Sequence, residues 1–159
     1  MYFISPTSGK ITVEEMSDVI IKFIQSDILS RYKLIIGTDS NPGDQICFVT
    51  AVIIYREGKG GRYFYRRSYT KKNYSLKQRI FMEATLSLEV ANAVEEILIK
   101  RGIRDLNVEI HLDVGNNGKT KEIIKELVGM INGCGFIAYV KPDSYGATKV
   151  ADRYSKCAQ

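Results

Sequence analysis

Apolar positions along the chain change period several times, and each change marks an element. Thr12-Val13-Glu14-Glu15 reads as a capping box, and Met16, Val19, Ile20, Phe23 and Ile24 follow at helical spacing, which predicts a first helix from about Val13 to about Asp27. Lys33 to Asp39, Ile46 to Tyr55 and Arg62 to Thr70 are strand-like in length and rich in β-branched or aromatic residues. The turns between them, 41–44 and 57–61, are short enough for an antiparallel meander. Leu76 to Lys100 is a strong helix, with Ile80, Ala84, Ser87, Ala91, Val94 and Leu98 in one stripe and Leu86, Val90, Ala93 and Ile97 in the next.

Asn107 to Asp113 then reads as a strand, Thr120 to Ile131 as a helix and Phe136 to Val140 as a strand. Pro142-Asp143-Ser144 opens a final helix bearing Ala147, Val150, Ala151 and Tyr154. After the first helix the order is βββαβαβα, a meander followed by two crossover units that add parallel strands to the same sheet. The expectation is a single α/β domain over 1–159, a mixed five-stranded sheet with helices on both faces, and residues 1–32 as an N-terminal helical extension packed on it.

Bulk properties narrow the class. A chain of 159 residues buries roughly 70% of its unfolded surface, enough for a real core. Cys47, Cys134 and Cys157 lack the paired spacing of a zinc site or a disulfide framework, which points to reduced thiols and an intracellular setting. No stretch approaches the ~18 apolar residues of a membrane span, so a soluble cytoplasmic protein is expected. The net charge of +5 is local: Arg56 to Lys77 holds eight Lys or Arg against Glu57 alone, and the remainder of the chain is slightly acidic. A polyanion partner fits such a face.

The candidate chemistry lies in acids that close apolar runs. Asp39 ends Leu34-Ile35-Ile36-Gly37-Thr38-Asp39, and Asp113 ends Val108-Glu109-Ile110-His111-Leu112-Asp113. Glu83 shares a helical row with Leu86, Val90, Ala93 and Ile97, so the face that packs on the sheet carries an ionisable group; burying that charge unpaired costs several kcal/mol, and a metal ion removes the penalty. Asp152 sits in a small-residue row with Thr148 and Ser155, and Asp143 is its rival, although it reads more simply as a helix cap. Singly, an aspartate after a strand is usually a turn former and a glutamate early in a helix complements the dipole. In this order, Asp39, Glu83 and Asp113 together favour a divalent-ion site of hard oxygen ligands.

These residues carry a resemblance. Strand Asp, helix Glu, strand Asp and C-terminal helix Asp on this frame resemble the ribonuclease H-like superfamily. More narrowly, Phe3-Ile4-Ser5-Pro6-Thr7-Ser8-Gly9, Ile36-Gly37-Thr38-Asp39-Ser40, Gly61-Arg62-Tyr63-Phe64-Tyr65 and Lys141-Pro142-Asp143-Ser144 resemble the YkuK-like family of uncharacterised bacterial proteins placed in it. The resemblance implies the fold, an Mg²⁺ or Mn²⁺ site on Asp39, Glu83 and Asp113 with Asp152 as a more variable fourth acid, and nuclease chemistry. It leaves the substrate open. Ribonuclease H enzymes often place a loop histidine near the fourth acid, whereas the chain's only histidine, His111, lies inside a strand and reads as a packed or half-exposed strand residue.

Nucleic acid is the expected partner. Arg62, Arg66 and Arg67, interleaved with Tyr63, Phe64, Tyr65 and Tyr69, suit phosphates and bases, with Lys119 and Lys141 as further phosphate contacts. The same strand, if an edge, would be guarded by its cations against pairing, and a homodimer through it would use the same side chains. Residues 113–120 come within one residue of the phosphate loop G-x-x-x-x-G-K-[ST], but Asp113 replaces the first glycine and would repel a phosphate. A metal-dependent phosphodiesterase is therefore the leading expectation. A non-catalytic nucleic-acid-binding or assembly module is the first alternative, and a nucleotide hydrolase working through Lys119 the second.

Overall fold

A computed structural model describes residues 1–115, 118–144, 146, 147, 151, 153 and 154, with the side chain of Lys119 left aside. Its elements are β1 (Tyr2–Ser5), β2 (Gly9–Thr12), α1 (Val13–Gln25), β3 (Tyr32–Asn41), β4 (Ile46–Arg56), β5 (Gly60–Thr70), α2 (Leu76–Lys100), β6 (Asn107–His111), α3 (Lys121–Gly133) and β7 (Ile137–Tyr139). A short 3-10 turn, Gly118–Thr120, leads into α3.

The sheet has seven strands in the order β2-β1-β5-β4-β3-β6-β7, and not five. The meander β3-β4-β5 is antiparallel throughout, while β6 joins β3 and β7 joins β6 in parallel, as the element order requires. The extra pair is an N-terminal hairpin, β1-β2, in a stretch expected to be a helical extension. Four-residue strands are too short for a period to declare itself. Phe3 and Ile11, both buried, are what draw the hairpin onto the sheet. It meets β5 through the pair Ile4 and Tyr65, so β5 is not a bare edge.

Both long helices start as their sequences dictate. Thr12 Oγ1 accepts from the Glu15 amide at 3.1 Å while Glu15 Oε2 accepts from the Thr12 amide at 2.7 Å. Ser75 and Gln78 repeat the arrangement at the head of α2, at 3.2 and 2.9 Å. Each box satisfies amides that a helix start would otherwise leave open. Between β4 and β5 the chain turns through Gly58 (φ +73°) and Gly60 (φ +82°), and at Gly61 any Cβ would collide with the Ile54 carbonyl oxygen, so glycine is required there.

Side-chain alternation divides the sheet into two apolar layers. Leu34, Ile36, Val52, Ile54, Phe64 and Ile110 pack beneath α1, α2 and α3, which present Met16, Ile20, Ala84, Ala91, Val94, Leu98, Leu127 and Ile131. Ile35, Val49, Ala51 and Tyr65 face the other way and are met by Ala147, Ala151 and Tyr154 from the helical residues near the C-terminus. Tyr154 stacks on Tyr65 at 3.8 Å between ring centroids and shares a hydroxyl hydrogen bond of 2.7 Å with Tyr63. Among the described residues, no helix is long and apolar enough to cross a membrane.

One polar rung interrupts the layer beneath α2. Thr38 Oγ1 lies 2.8 Å from Ser87 Oγ and 2.9 Å from Thr50 Oγ1, and all three residues are buried. This chain of hydroxyls fixes the height of α2 over β3. Thr38→Val removes its middle member and leaves two buried hydroxyls without their partner. The expected cost is about 1–3 kcal/mol, measured as a lower urea midpoint with an unchanged slope.

Candidate metal-binding carboxylate site

Asp39 and Asp113 are brought level by strand register. Parallel pairing of β3 with β6 sets Gly37 beside His111. Carried two residues further, the same offset sets Asp39 beside Asp113, on strands ~4.8 Å apart. The regular ladder stops at His111, so Asp113 stands just beyond the strand and not inside it. The Leu112 amide still donates to the Tyr139 carbonyl at 2.8 Å, which holds the chain straight to that point. Asp39, by contrast, lies within β3, which continues to Asn41.

Glu83 arrives from the helix by a second match of spacings. Ser87 meets Thr38, and one helical turn earlier Glu83 meets Ser40, whose hydroxyl donates to Oε1 at 2.6 Å. Four helical residues advance roughly 6 Å and two strand residues roughly 6.6 Å, so successive rungs stay in step. Arg79, one turn before Glu83, donates to Ser40 Oγ at a long 3.4 Å and places its charge near the same carboxyl.

Asp39 and Asp113 both lie within electrostatic reach of Glu83. Burial pushes the Glu83 carboxyl up to about 8, and the charges of Asp39 and Asp113 push the same way, while the Ser40 hydrogen bond and Arg79 act against them. Without a cation, Glu83 is therefore largely protonated at neutral pH. Carboxylate oxygens of this kind suit Mg²⁺ or Mn²⁺. As the side chains lie, however, no three His, Cys, Asp or Glu among the described residues surround one point closely enough to hold an ion. Asp113 is instead paired with Lys141, Nζ to Oδ1 2.7 Å. Asp152 falls outside the described residues.

The expected substrate cations are dispersed. Lys141 lies at the site, and the Lys119 side chain is outside the description. Arg62 sits over the Phe23 ring at 5.5 Å and Arg66 over Phe3 at 5.9 Å, on the α1 side of β5. Arg67 points to the other face, where Nη2 donates to the Tyr154 carbonyl at 3.2 Å. Arg66, Arg67 and Tyr69 do line one open groove with Met1, Tyr2, Ile4 and Lys10. Of the stretch resembling a phosphate loop, residues 116 and 117 lie outside the description, and Thr120 turns its hydroxyl to the Gly115 carbonyl at 3.3 Å.

His111 is buried and engaged as a strand residue, its Nε2 3.2 Å from Glu109 Oε1. Burial lowers its proton affinity, against the pull of Glu109. Glu109 also accepts from Asn107 Nδ2 at 2.9 Å and stands 3.8 Å from Lys33 Nζ. Lys33, Glu109 and His111 wall a cavity of about 330 Å³ on the face opposite α2, with Ile35, Ile53, Tyr55 and Tyr139. Sequence reading missed Ser40 and Arg79 as partners of Glu83, although Ser40 follows Asp39 directly and Arg79 precedes Glu83 by one helical turn.

Comparison with known proteins places the chain in a family. The family described as Ribonuclease H-like matches residues 15–156. The uncharacterized protein YkuK of Bacillus subtilis (strain 168) is 33% identical over 166 aligned positions, covering 97% of this chain and 96% of that protein. No solved structure matches the chain.

The Glu83 carboxyl gives the fold a pH signature. Its proton is held more tightly folded than unfolded, so between its ordinary value of 4.5 and about 8 the native state binds the extra proton and stability falls as pH rises. In EDTA, urea unfolding at pH 5, 7 and 9 should show the wild type losing stability across this window, with Glu83→Gln lacking that component and exceeding the wild type at pH 9.

Proposed function

Because the chain belongs to the ribonuclease H-like family, we propose that it is a metal-dependent phosphodiesterase acting on nucleic acid, with its reaction centre at Asp39, Glu83 and Asp113. The observation that carries this reading is the Glu83 carboxyl, shielded from water on the sheet-facing side of α2 and placed where both strand aspartates act on it. Mutual repulsion of this kind is relieved by a bound cation, and proteins keep such clusters where a cation is wanted.

Asp39, Glu83 and Asp113 would hold Mg²⁺ or Mn²⁺, with Asp152 as a fourth acid. The ion, once bound, supplies an acidified water and positive charge for the oxygens of phosphoryl transfer. The chain's own residues do the rest. Ser40 donates to one Glu83 oxygen, and Arg79 donates in turn to Ser40. The groove of Tyr2, Lys10, Arg66, Arg67 and Tyr69 offers cations and rings to a nucleic-acid strand. This groove also supports the second reading, a binding module without catalysis, in which the acids are structural. The phosphate-loop alternative has less support, because Asp113 meets Lys141 and Thr120 meets the Gly115 carbonyl.

Asp39→Asn and Asp113→Asn separate the readings. Each is expected to abolish Mn²⁺-dependent cleavage of labelled RNA and DNA oligonucleotides while leaving the circular dichroism spectrum and oligonucleotide binding in EDTA unchanged. Undiminished cleavage in both variants contradicts the assignment. Thermal stabilisation by Mn²⁺ that is equal in wild type and Asp39→Asn favours the binding module.

A further inference from the structure

The ion pair between Lys141 and Asp113 is built into the backbone of the fold. Two residues beyond β7, the Lys141 amide donates to the Val114 carbonyl at 2.8 Å. The next turn closes with the Asp143 amide on the Val140 carbonyl at 2.8 Å, and Ser144 Oγ ties it to the Leu112 carbonyl at 2.6 Å. Both ends of the ion pair are thus fastened to the same short stretch of β6 and its extension. The aliphatic stem of Lys141 runs over Gly115, where an added Cβ would stand 3.5 Å from Lys141 Cβ and 3.8 Å from Cδ. The ammonium reaches Asp113 at 2.7 Å, and the charge of Asp39 attracts it as well.

An ammonium at hydrogen-bond distance occupies an oxygen that a divalent ion would need at ~2.1 Å. Two cations on one carboxylate repel, so only one holds it well. We propose that Lys141 is a tethered cation that competes with the divalent ion for Asp113, holding the cluster in its metal-free arrangement and weakening metal loading until the ammonium leaves. The proposal rests on the metal-site reading above and deepens it: Lys141 acts through Asp113 as a positioning residue. It also accounts for three acids that sense one another yet do not close on one point. A phosphate is the natural alternative partner for the released ammonium.

The test is Mn²⁺ binding to the intact chain by isothermal titration calorimetry, with no substrate present. Lys141→Met keeps the stem on Gly115 and removes the charge, and it is expected to bind Mn²⁺ at least roughly threefold more tightly, the scale of a partly exposed ion pair. Lys141→Arg keeps a cation on Asp113 and should bind no more tightly than wild type. Lys72→Met removes the same charge from an exposed loop position and should leave affinity unchanged. Equal or weaker binding in Lys141→Met, or an equal gain in Lys141→Arg or Lys72→Met, overturns the competition. Absence of Mn²⁺ binding in every protein, Lys141→Met included, overturns the metal-site reading itself and the competition with it.

Discussion

Like charges crowded at the carboxyl end of a sheet are the constraint around which this structure is arranged. A carboxylate surrounded by apolar groups and two further carboxylates is unfavourable by several kcal/mol unless protonated, paired or bound to a cation. Here each remedy is present in part. Glu83 holds a proton to about 8, Asp113 holds the Lys141 ammonium, and Ser40 donates to the oxygen of Glu83. A turn-forming aspartate or a dipole-complementing glutamate needs none of these.

The scaffold that enforces this crowding is rigid because its spacings agree. The parallel register of β3 and β6 sets the two aspartates level, and the matched rises of α2 and β3 stack Glu83 on Ser40 one step from Ser87 on Thr38. Apolar packing above and below these rungs leaves little freedom to relax. Leu34, Ile36, Ala84, Ala91 and Ile110 are fully buried along the same contact.

Much of this was legible in the chain beforehand, for identifiable reasons. Helix α2 was readable to both ends because 25 residues give the apolar stripe seven turns in which to show itself. The meander was readable because its strands are long and its turns rich in glycine. The hairpin β1-β2 was not, since four residues carry hardly two alternations, and its pairing with β5 is a tertiary event that no local pattern encodes. Asp39 and Asp113 stood out because each closes an apolar run, and Glu83 because it shares a helical row with Leu86, Val90, Ala93 and Ile97. The partnership of Lys141 with Asp113 was not, because 28 positions separate them and only the β6-β7 pairing brings them together. The cations of the basic stretch alternate between faces: Arg62 and Arg66 lie over Phe23 and Phe3, and Arg67 donates to the Tyr154 carbonyl.

Glu109 on β6 and Glu83 on α2 are two carboxyls with opposite surroundings. Glu109, 3% exposed, is surrounded by donors: Asn107 and His111 on its two oxygens, and Lys33 close by. Its charge is answered by the protein, and nothing further need bind. Glu83 receives Ser40 on one oxygen, and burial together with the charges of Asp39 and Asp113 holds its carboxyl above the ordinary range. A sequence drifting under stability alone would replace such a residue by glutamine or leucine at little packing cost, as the volumes are close. What glutamate offers over either is a carboxylate oxygen, which suits a hard divalent cation and which leucine lacks altogether.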